Sequence, residues 1–269
     1  MYTTGHHASV LASHSARSAA NSCAYVLERL REGDSVLDIG CGPGSITLDL
    51  AEIVGLNGRV VGVDFAAGAI SAAEEAAARR GDARTQFMLG DIHELDLEPA
   101  SFDVVHAHQV LQHLSDPVAG LRAMARYCKP GGIVAARDAD YSAMFWFPES
   151  PGLDRWRATY ASAARSNGAQ PDAARRLRSW ARAAGFEDVS VSSSTWTYAT
   201  PESTSWWGSG QAARVRRSDF AGQAVAQGLT PEEVEDIALA WEHWGGHPDA
   251  WFTIVHGEVV ITLSAESDS

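Results

Sequence analysis

A glycine-rich turn directly after a short apolar strand constrains the fold of this chain more than any other feature. Residues 35–39 read SVLDI and predict a strand, and residues 40–44 read GCGPG. Glycines in such a turn let the backbone bend tightly and let another group approach without a Cβ in the way. Apolar residues at helical spacing follow over residues 46–54. The pattern predicts a strand–turn–helix unit, the building block of alternating α/β folds.

The same alternation continues along the chain and predicts a doubly wound α/β fold, with a parallel sheet and helices on both faces. The further strands are predicted at 59–64, 85–89, 102–107, 133–137, 186–194 and 251–263, and the helices between them at 66–80, 117–127 and 171–185.

Two segments, residues 139–169 and 195–250, are too long to be simple connections. Each follows a strand that ends at the carboxyl edge of the sheet, where open α/β folds bind ligands, so we expect both to form a helical lid there. All nine tryptophans lie beyond the fifth strand, most of them in or beside these segments. They either pack the lid against the sheet or line a pocket. The aromatic residues predicted to face a substrate are Trp146, Tyr160, Trp207 and Trp244.

Composition narrows the possible partners. The 269 residues carry a formal net charge of -13, which disfavours nucleic acid and favours a small neutral or cationic substrate. Arg214, Arg216 and Arg217 form a local exception, interpreted as a solvated helix face. The three cysteines predict neither a disulfide framework nor a metal site, and no apolar run is long enough for a membrane span. Without a secretory signal, the protein is expected to be cytoplasmic.

Three carboxylates follow three successive strands and point to one cofactor. Asp38 precedes the glycine turn, where it is unsuited to a pyrophosphate but suited to the cationic amino-acid end of S-adenosylmethionine. Ser45 also stands where a dinucleotide turn has its third glycine. Asp64 is placed to accept hydrogen bonds from the ribose hydroxyls. Asp91 is placed to accept from the adenine amino group, and Ile92 to pack against the adenine ring. Each aspartate could instead be a turn or cap residue, but together they favour S-adenosylmethionine over NAD.

The sequence resembles the class I S-adenosylmethionine-dependent methyltransferases, near the ubiquinone/menaquinone-biosynthesis type and small-molecule enzymes. The stretches that carry the resemblance are VLDIGCGPGSITLDLA (36–51), VVGVD (60–64), FMLGDIHEL (87–95), FDVVHAHQVLQHLSDP (102–117), KPGG (129–132) and, more loosely, AGFEDVSV (184–191). The resemblance implies a single Rossmann-like domain over residues 1–269, with a seven-stranded sheet whose last strand is antiparallel. The candidate cofactor-binding residues are Asp38, Gly40, Gly42, Gly44, Asp64, Phe65, Asp91, Ile92, Gln109 and Arg17.

The segment after the fourth strand holds the candidate catalytic residues. One interpretation makes His108 or His113 a general base, because imidazole titrates near neutral pH. In the alternative, His113 packs against the sheet edge and His108 only shapes the floor of the cofactor site. An N-terminal cap over residues 1–30 is also expected, in which Arg17 either meets a carboxylate or lies in solvent. His6 and His7 lack a third metal ligand at suitable spacing, so no metal site is predicted.

These patterns predict a methyltransferase that acts on a small, apolar or aromatic acceptor by in-line displacement at the methyl carbon. The alternative is a protein of the same fold that binds the cofactor but catalyses another reaction or serves a binding role. An NAD-dependent oxidoreductase and a nucleic-acid methyltransferase are disfavoured by the turn spacing and the charge. The acceptor atom, the need for a base and the oligomeric state stay open.

Overall fold

Seven strands form one sheet in the order β3-β2-β1-β4-β5-β7-β6 in the computed structural model, which describes residues 17–265. The strands are β1 (Ser35–Ile39), β2 (Arg59–Asp64), β3 (Gln86–Leu89), β4 (Phe102–His108), β5 (Cys128–Phe147), β6 (Val189–Tyr198) and β7 (Trp251–Thr262). The first five strands pair in parallel, whereas β7 runs antiparallel to both β5 and β6. The predicted seven-stranded sheet with an antiparallel last strand is therefore confirmed.

The helices surround this sheet and cover its carboxyl edge. They are α1 (Ala19–Ser22), α2 (Ala24–Leu27), α3 (Ser45–Val54), α4 (Ala67–Arg80), α5 (Pro117–Tyr127), α6 (Pro151–Ser166), α7 (Leu177–Ala183), α8 (Pro201–Arg217), α9 (Asp219–Ala226) and α10 (Pro231–Gly245). Four of them begin with a proline behind a capping Asp, Ser or Thr, an arrangement that suits the first helical turn. Residues 230–233 read TPEE, a pattern that predicts a capping box, and Thr230 and Glu233 form it at the start of α10.

Strands β5 and β6 are longer than predicted, which corrects the bounds of both lid segments. β5 does not end near Arg137 but continues to Phe147, where it pairs with Trp251 of β7 after a bulge. β6 likewise continues to Tyr198. The sequence does not indicate this extension, because polar residues interrupt the apolar pattern of β5. The hydrogen-bond partners of the extension lie on β7, more than 100 residues away along the chain. The lid itself consists of α6, after β5, and of α8 to α10, after β6.

The helix predicted from residue 171 forms only at its second half. Asp172 is held in a β-bridge with Asp140, and a 3₁₀ turn at Ala174–Arg176 precedes α7. Arg175 binds the same Asp140 carboxylate at 2.6 Å. These tertiary contacts replace the first helical turn.

The lid has a hydrophobic core of its own, built mainly from tryptophan. Trp241 of α10 meets Trp156 of α6 edge to face at 4.9 Å and packs on Phe252 of β7 at 5.3 Å. Trp244 packs beside them, and its Nε1 donates to the Phe147 carbonyl at 2.9 Å. Several of the predicted lid tryptophans therefore fasten the lid to the extended strands.

Two further features bear on the class of protein. Within residues 17–265, no helix combines the length and the apolar character needed to cross a bilayer. Cys23, Cys41 and Cys128 are all free thiols and are buried.

We expect Gly208→Ala to destabilise the protein, although alanine usually favours a helix. A Cβ at Gly208 of α8 would lie 2.6 Å from the Trp241 carbonyl oxygen and 2.9 Å from Gly245 Cα, so α8 and α10 would have to separate. The free energy of unfolding should fall by about 1–3 kcal/mol. The control is Gly210→Ala on the same helix, where a Cβ meets nothing within 4 Å and stability should rise by about 0.5–1 kcal/mol. Urea unfolding followed by circular dichroism measures both, and equal effects would contradict this account of the α8–α10 contact.

Candidate active site

Asp38 holds the base of the glycine-rich turn with both carboxylate oxygens. Its Oδ1 lies 2.8 Å from Nδ1 of His106 on β4, and its Oδ2 accepts from the Thr47 hydroxyl of α3 at 2.6 Å. All three side chains are buried. A buried carboxylate needs such partners, and Asp38 finds them on the two elements that flank β1. Asp38 lies at the wall of the cleft above the turn, but its observed contacts are with the protein.

The three glycines of the turn serve different purposes. Gly40 and Gly42 have positive φ and line the cleft, and the Gly42 N–H donates to Asp64 Oδ2 at 3.0 Å. Gly44 has φ 78° as well but lies outside the cleft lining. A Cβ at Gly44 would lie 2.9 Å from Ala73 and 3.0 Å from Phe87. Gly44 is therefore required by packing against Ala73 and Phe87, and its contact with a cofactor stays a prediction.

A cleft of about 370 Å³ opens along the carboxyl ends of β1, β2, β3 and β4, within the range of roughly 300–1,000 Å³ that holds small ligands. Asp64 and Phe65 line it after β2, and Asp91 and Ile92 after β3. The Asp64 carboxylate accepts from the backbone at Gly42 and at residue 66, which leaves lone pairs for a ligand.

A second, smaller cavity of about 70 Å³ lies between the sheet edge and the lid. Its aromatic walls come from both lid segments and from β5 and β6; the aromatic residues are Tyr141, Trp156, Tyr160, Trp196, Tyr198, Trp207 and Phe220. Its polar groups are Arg17, Gln109, Gln112, His113, Gln211, Arg214 and Ser218.

Gln109 stands where the two cavities meet. It has φ 55° and lines both of them, as Arg17 and His113 do. Its Oε1 accepts from Arg17 Nη2 at 2.7 Å, so its Nε2 is the atom that donates to His256 Nε2 at 2.9 Å. The strained backbone is held by a 2.7 Å hydrogen bond from the Gln109 N–H to the carbonyl of Arg137.

A family model for a methyltransferase domain matches residues 30–196 of the chain. Over 96% of this chain and 95% of the relative, the chain is 32% identical to an uncharacterized methyltransferase from Schizosaccharomyces pombe. The chain belongs to the class I S-adenosylmethionine-dependent methyltransferases.

Solved structures agree on the fold of this methyltransferase. Phosphoethanolamine N-methyltransferase 2 from Haemonchus contortus superposes with a TM-score of 0.57 and 20% identity; 90% of this chain matches 52% of that one. The [4+2]-cyclase SpnF superposes with a TM-score of 0.55 and 24% identity, over 90% of this chain and 80% of that one.

The aromatic residues predicted to face a substrate divide into two pairs. Tyr160 and Trp207 line the smaller cavity. Trp244 belongs to the lid core, and Trp146 stacks on Phe252 at 5.7 Å and lies against Arg157. Both lie outside the lining of the smaller cavity, and packing of the lid on β7 engages their rings. His6 and His7 lie outside the described residues.

Several lining residues escaped the sequence analysis. Trp196 was passed over because strand β6 was predicted to end before it. Gln112 and Gln211 carry no motif, and Arg214 was interpreted as solvated. Only the helical spacing of Trp207, Gln211 and Arg214 along α8 could have placed all three on one face.

Gln112 fixes the protonation of His113 in this methyltransferase. The Gln112 Oε1 accepts from the Ala139 N–H at 3.0 Å, so its Nε2 donates to His113 Nε2 at 3.1 Å. His113 is therefore neutral with its proton on Nδ1. Burial, reinforced by the charge of Arg17, lowers the pKa of His113 to about 3. The nitrogen that would accept a proton is already occupied, which argues against a general base at this position.

His108 is also buried and neutral. Burial first, then the charges of Arg17 and Arg137, lowers its pKa well below the ordinary histidine value. Its ring lies 5.5 Å from Trp196 and 6.2 Å from His256, and it lines the larger cleft but not the smaller cavity. This placement favours a role in shaping the cleft floor.

We expect His113 to make folding sensitive to acid. The folded state holds its pKa at about 3, below the roughly 6.5 of an unfolded chain, so below pH 6.5 the unfolded state takes up the extra proton and gains stability. Relative to His113→Gln, wild type should lose about 2 kcal/mol of unfolding free energy between pH 7.5 and pH 5. The control is the exposed His243→Gln, which should show no such difference. Urea unfolding across this pH range measures it, and parallel curves for wild type and His113→Gln would disprove it.

Proposed function

We propose that this methyltransferase transfers a methyl group to a small organic acceptor bound in the aromatic cavity beneath the lid. The observation that supports it best is the shared wall of the two cavities, formed by Arg17, Gln109 and His113. A donor in the larger cleft and an acceptor in the smaller cavity would meet at this wall. Holding two reactants in line is worth roughly 7–11 kcal/mol in well-aligned reactions.

The larger cleft fits S-adenosylmethionine in size and in chemistry. Asp64 and Asp91 stand at the ends of neighbouring strands, and carboxylates there can accept from ribose hydroxyls and from the adenine amino group. Ile92 supplies a buried apolar surface for the ring, and Phe65 borders the same cleft. When bound, the cofactor supplies a methyl carbon that the acceptor attacks in line while the carbon–sulfur bond breaks and sulfur keeps the electron pair.

The lid excludes water from the acceptor and must move to admit it. The cavity of about 70 Å³ is half the size of the roughly 150 Å³ cavity that accommodates benzene in an engineered protein. An acceptor of ring size therefore requires a displacement of α8 to α10, the elements that cover the cavity. Such lid motions commonly limit turnover.

The protein holds its histidines neutral at this junction, which limits the acid–base chemistry available. His113 has its acceptor nitrogen engaged by Gln112, and burial disfavours the charged form of His108. The acceptor accordingly reacts through an atom that is nucleophilic without losing a proton to either ring.

We expect Asp64→Ala to weaken S-adenosylmethionine binding by at least tenfold. The substitution removes an acceptor for the ribose and leaves the Gly42 N–H without its carboxylate, a loss of about 1–3 kcal/mol. Isothermal titration calorimetry measures the affinity, with circular dichroism to establish that the variant is folded. Unchanged affinity would remove Asp64 from the site.

Asp91 provides a cleaner comparison, because its side chain does not hold the glycine turn. Asp91→Ala should weaken cofactor binding by about 1.5–3 kcal/mol, the value of a hydrogen bond to a charged group. Circular dichroism should show that the variant is folded, because within the protein the substitution removes an exposed hydrogen bond from the His93 N–H. Asp96→Ala removes an exposed carboxylate six residues before β4 begins and outside the cleft lining; it serves as the control and should bind normally. Equal calorimetric affinities of the two variants would rule out the adenine-side role.

The reaction itself is tested by incubating the protein with methyl-labelled S-adenosylmethionine and a small-molecule metabolite extract. Mass spectrometry should find label in an organic product with wild type and not with Asp64→Ala. Tight cofactor binding without any labelled product would instead favour the alternative of a different reaction on the same fold.

A further inference from the structure

We propose that the acceptor is a planar organic anion, such as an aromatic carboxylate, and that Arg214 with Arg17 selects it. The inference rests on the proposed function, because it assigns the lid cavity to the acceptor. It also reverses the expectation of a neutral or cationic substrate, which came from the net charge of the whole chain.

The cavity wall is cationic although the protein is acidic. Arg17 and Arg214 both line it, and among residues 17–265 no aspartate or glutamate does. The acidic side chains that produce the net charge lie elsewhere, and at physiological ionic strength their field is screened over about 8 Å. The charge that an acceptor meets is therefore set by these two arginines.

Aromatic rings hold the two guanidinium groups in place. The Arg214 guanidinium lies 5.5 Å from the Trp207 ring, and that of Arg17 lies 5.6 Å from Trp196. Stacking of this kind restricts the planar fork of an arginine, and the fork matches the geometry of a carboxylate. Two positioned forks in one small cavity form a binding site for an anion.

Trp207 adds a hydrogen-bond donor to the same wall. The side chain is only 7% exposed, yet its Nε1 has no hydrogen-bond partner among the described residues. A buried donor without a partner is destabilising, and a ligand oxygen would satisfy it. Donors and cations together call for a ligand that accepts hydrogen bonds and carries negative charge.

The pKa of the Tyr198 hydroxyl reflects the charges around the cavity. Burial raises the pKa of Tyr198 to about 12, while Arg17, Arg214 and the more distant Arg137 act in the opposite direction. The charges of both cavity arginines thus reach one group. Tyr198 also stacks on Trp207 at 4.4 Å, next to the proposed anion position.

The remaining walls suit a flat body. Tyr141 and Tyr160 stack at 4.2 Å, and Trp156 lies 6.1 Å from Tyr160. Flat rings of this kind pack well against a planar ligand by offset stacking. The anionic group would face α8, and the ring would lie among these aromatic residues once the lid opens.

Of the three arginines near the end of α8, Arg214 lines the cavity and the other two do not. Arg216 is bound outside the cavity by Glu235 and Glu242, and Arg217 is exposed at the end of the helix. Arg217→Gln therefore makes the same chemical change on the same helix away from the cavity, which makes it a matched control for Arg214→Gln.

Calorimetry with three para-substituted phenols tests the proposal: 4-hydroxybenzoate, its neutral and nearly isosteric amide 4-hydroxybenzamide, and the cation tyramine. The protein is first saturated with S-adenosylhomocysteine, so that cofactor binding is measured separately. Wild type and Arg217→Gln should bind the carboxylate at least tenfold more tightly than the amide, a difference of about 1.4 kcal/mol, and tyramine least tightly. Arg214→Gln should reduce the preference to about threefold or less, because only Arg17 remains in the cavity, and should leave the S-adenosylhomocysteine affinity unchanged.

Arg214→Lys covers the case in which Arg214→Gln does not fold. It keeps the charge but loses the planar fork, so the carboxylate should bind about threefold to tenfold more weakly with the amide unchanged. Failure of wild type to bind S-adenosylhomocysteine would overturn the proposed function itself. If S-adenosylhomocysteine binds, then equal affinity for carboxylate and amide, a preference for tyramine, binding of none of the probes, or an unchanged ratio in a folded Arg214 variant would overturn the anionic acceptor alone.

Discussion

One buried carboxylate, Asp38, ties together the elements on which the site depends. It binds His106 of β4 on one side and Thr47 of α3 on the other, at 2.8 and 2.6 Å. Both contacts lie directly below the glycine turn, so they set the positions of the ends of β1 and β4 relative to α3. Since a buried carboxylate without partners is unstable, this arrangement leaves little freedom to the cleft floor. A second carboxylate, Asp64, then holds the turn from β2.

The lid depends on aromatic packing, whereas the glycine turn depends on buried carboxylates. Extended strands β5 and β7 carry a tryptophan core, and the cavity between that core and the sheet edge is lined by aromatic rings and two arginines. The larger cleft has carboxylates at its rim, whereas the smaller cavity has cations. Gln109, a residue with a strained backbone, lines both cavities and is hydrogen-bonded to Arg17 and His256. The two cavities thus differ in charge, as two ligands of different chemistry require.

Much of this could be predicted from local patterns, and the failures share one cause. The strands of the first half, the antiparallel last strand and the Thr230 cap follow from periodicity, from family resemblance and from capping rules. The ends of β5 and β6 could not be predicted, because β7 supplies their ladder from a distant part of the chain. A motif likewise does not show what a glycine packs against, so the tight packing around Gly44 is visible only in the fold.

The sequence by itself determined the family, the sheet and the carboxylates after β1, β2 and β3, because hydrophobic period and turn chemistry are local properties. Only the tertiary structure decided which aromatic residues face the cavity, since Trp244 and Trp207 look alike until α10 and α8 pack on β7. It also decided the charge of that cavity. The net charge is a sum over the whole chain, whereas Arg214 acts on groups within a few ångströms of it. Folding determines which groups these are. The glycine turn thus indicates the cofactor, and the folded lid indicates the acceptor.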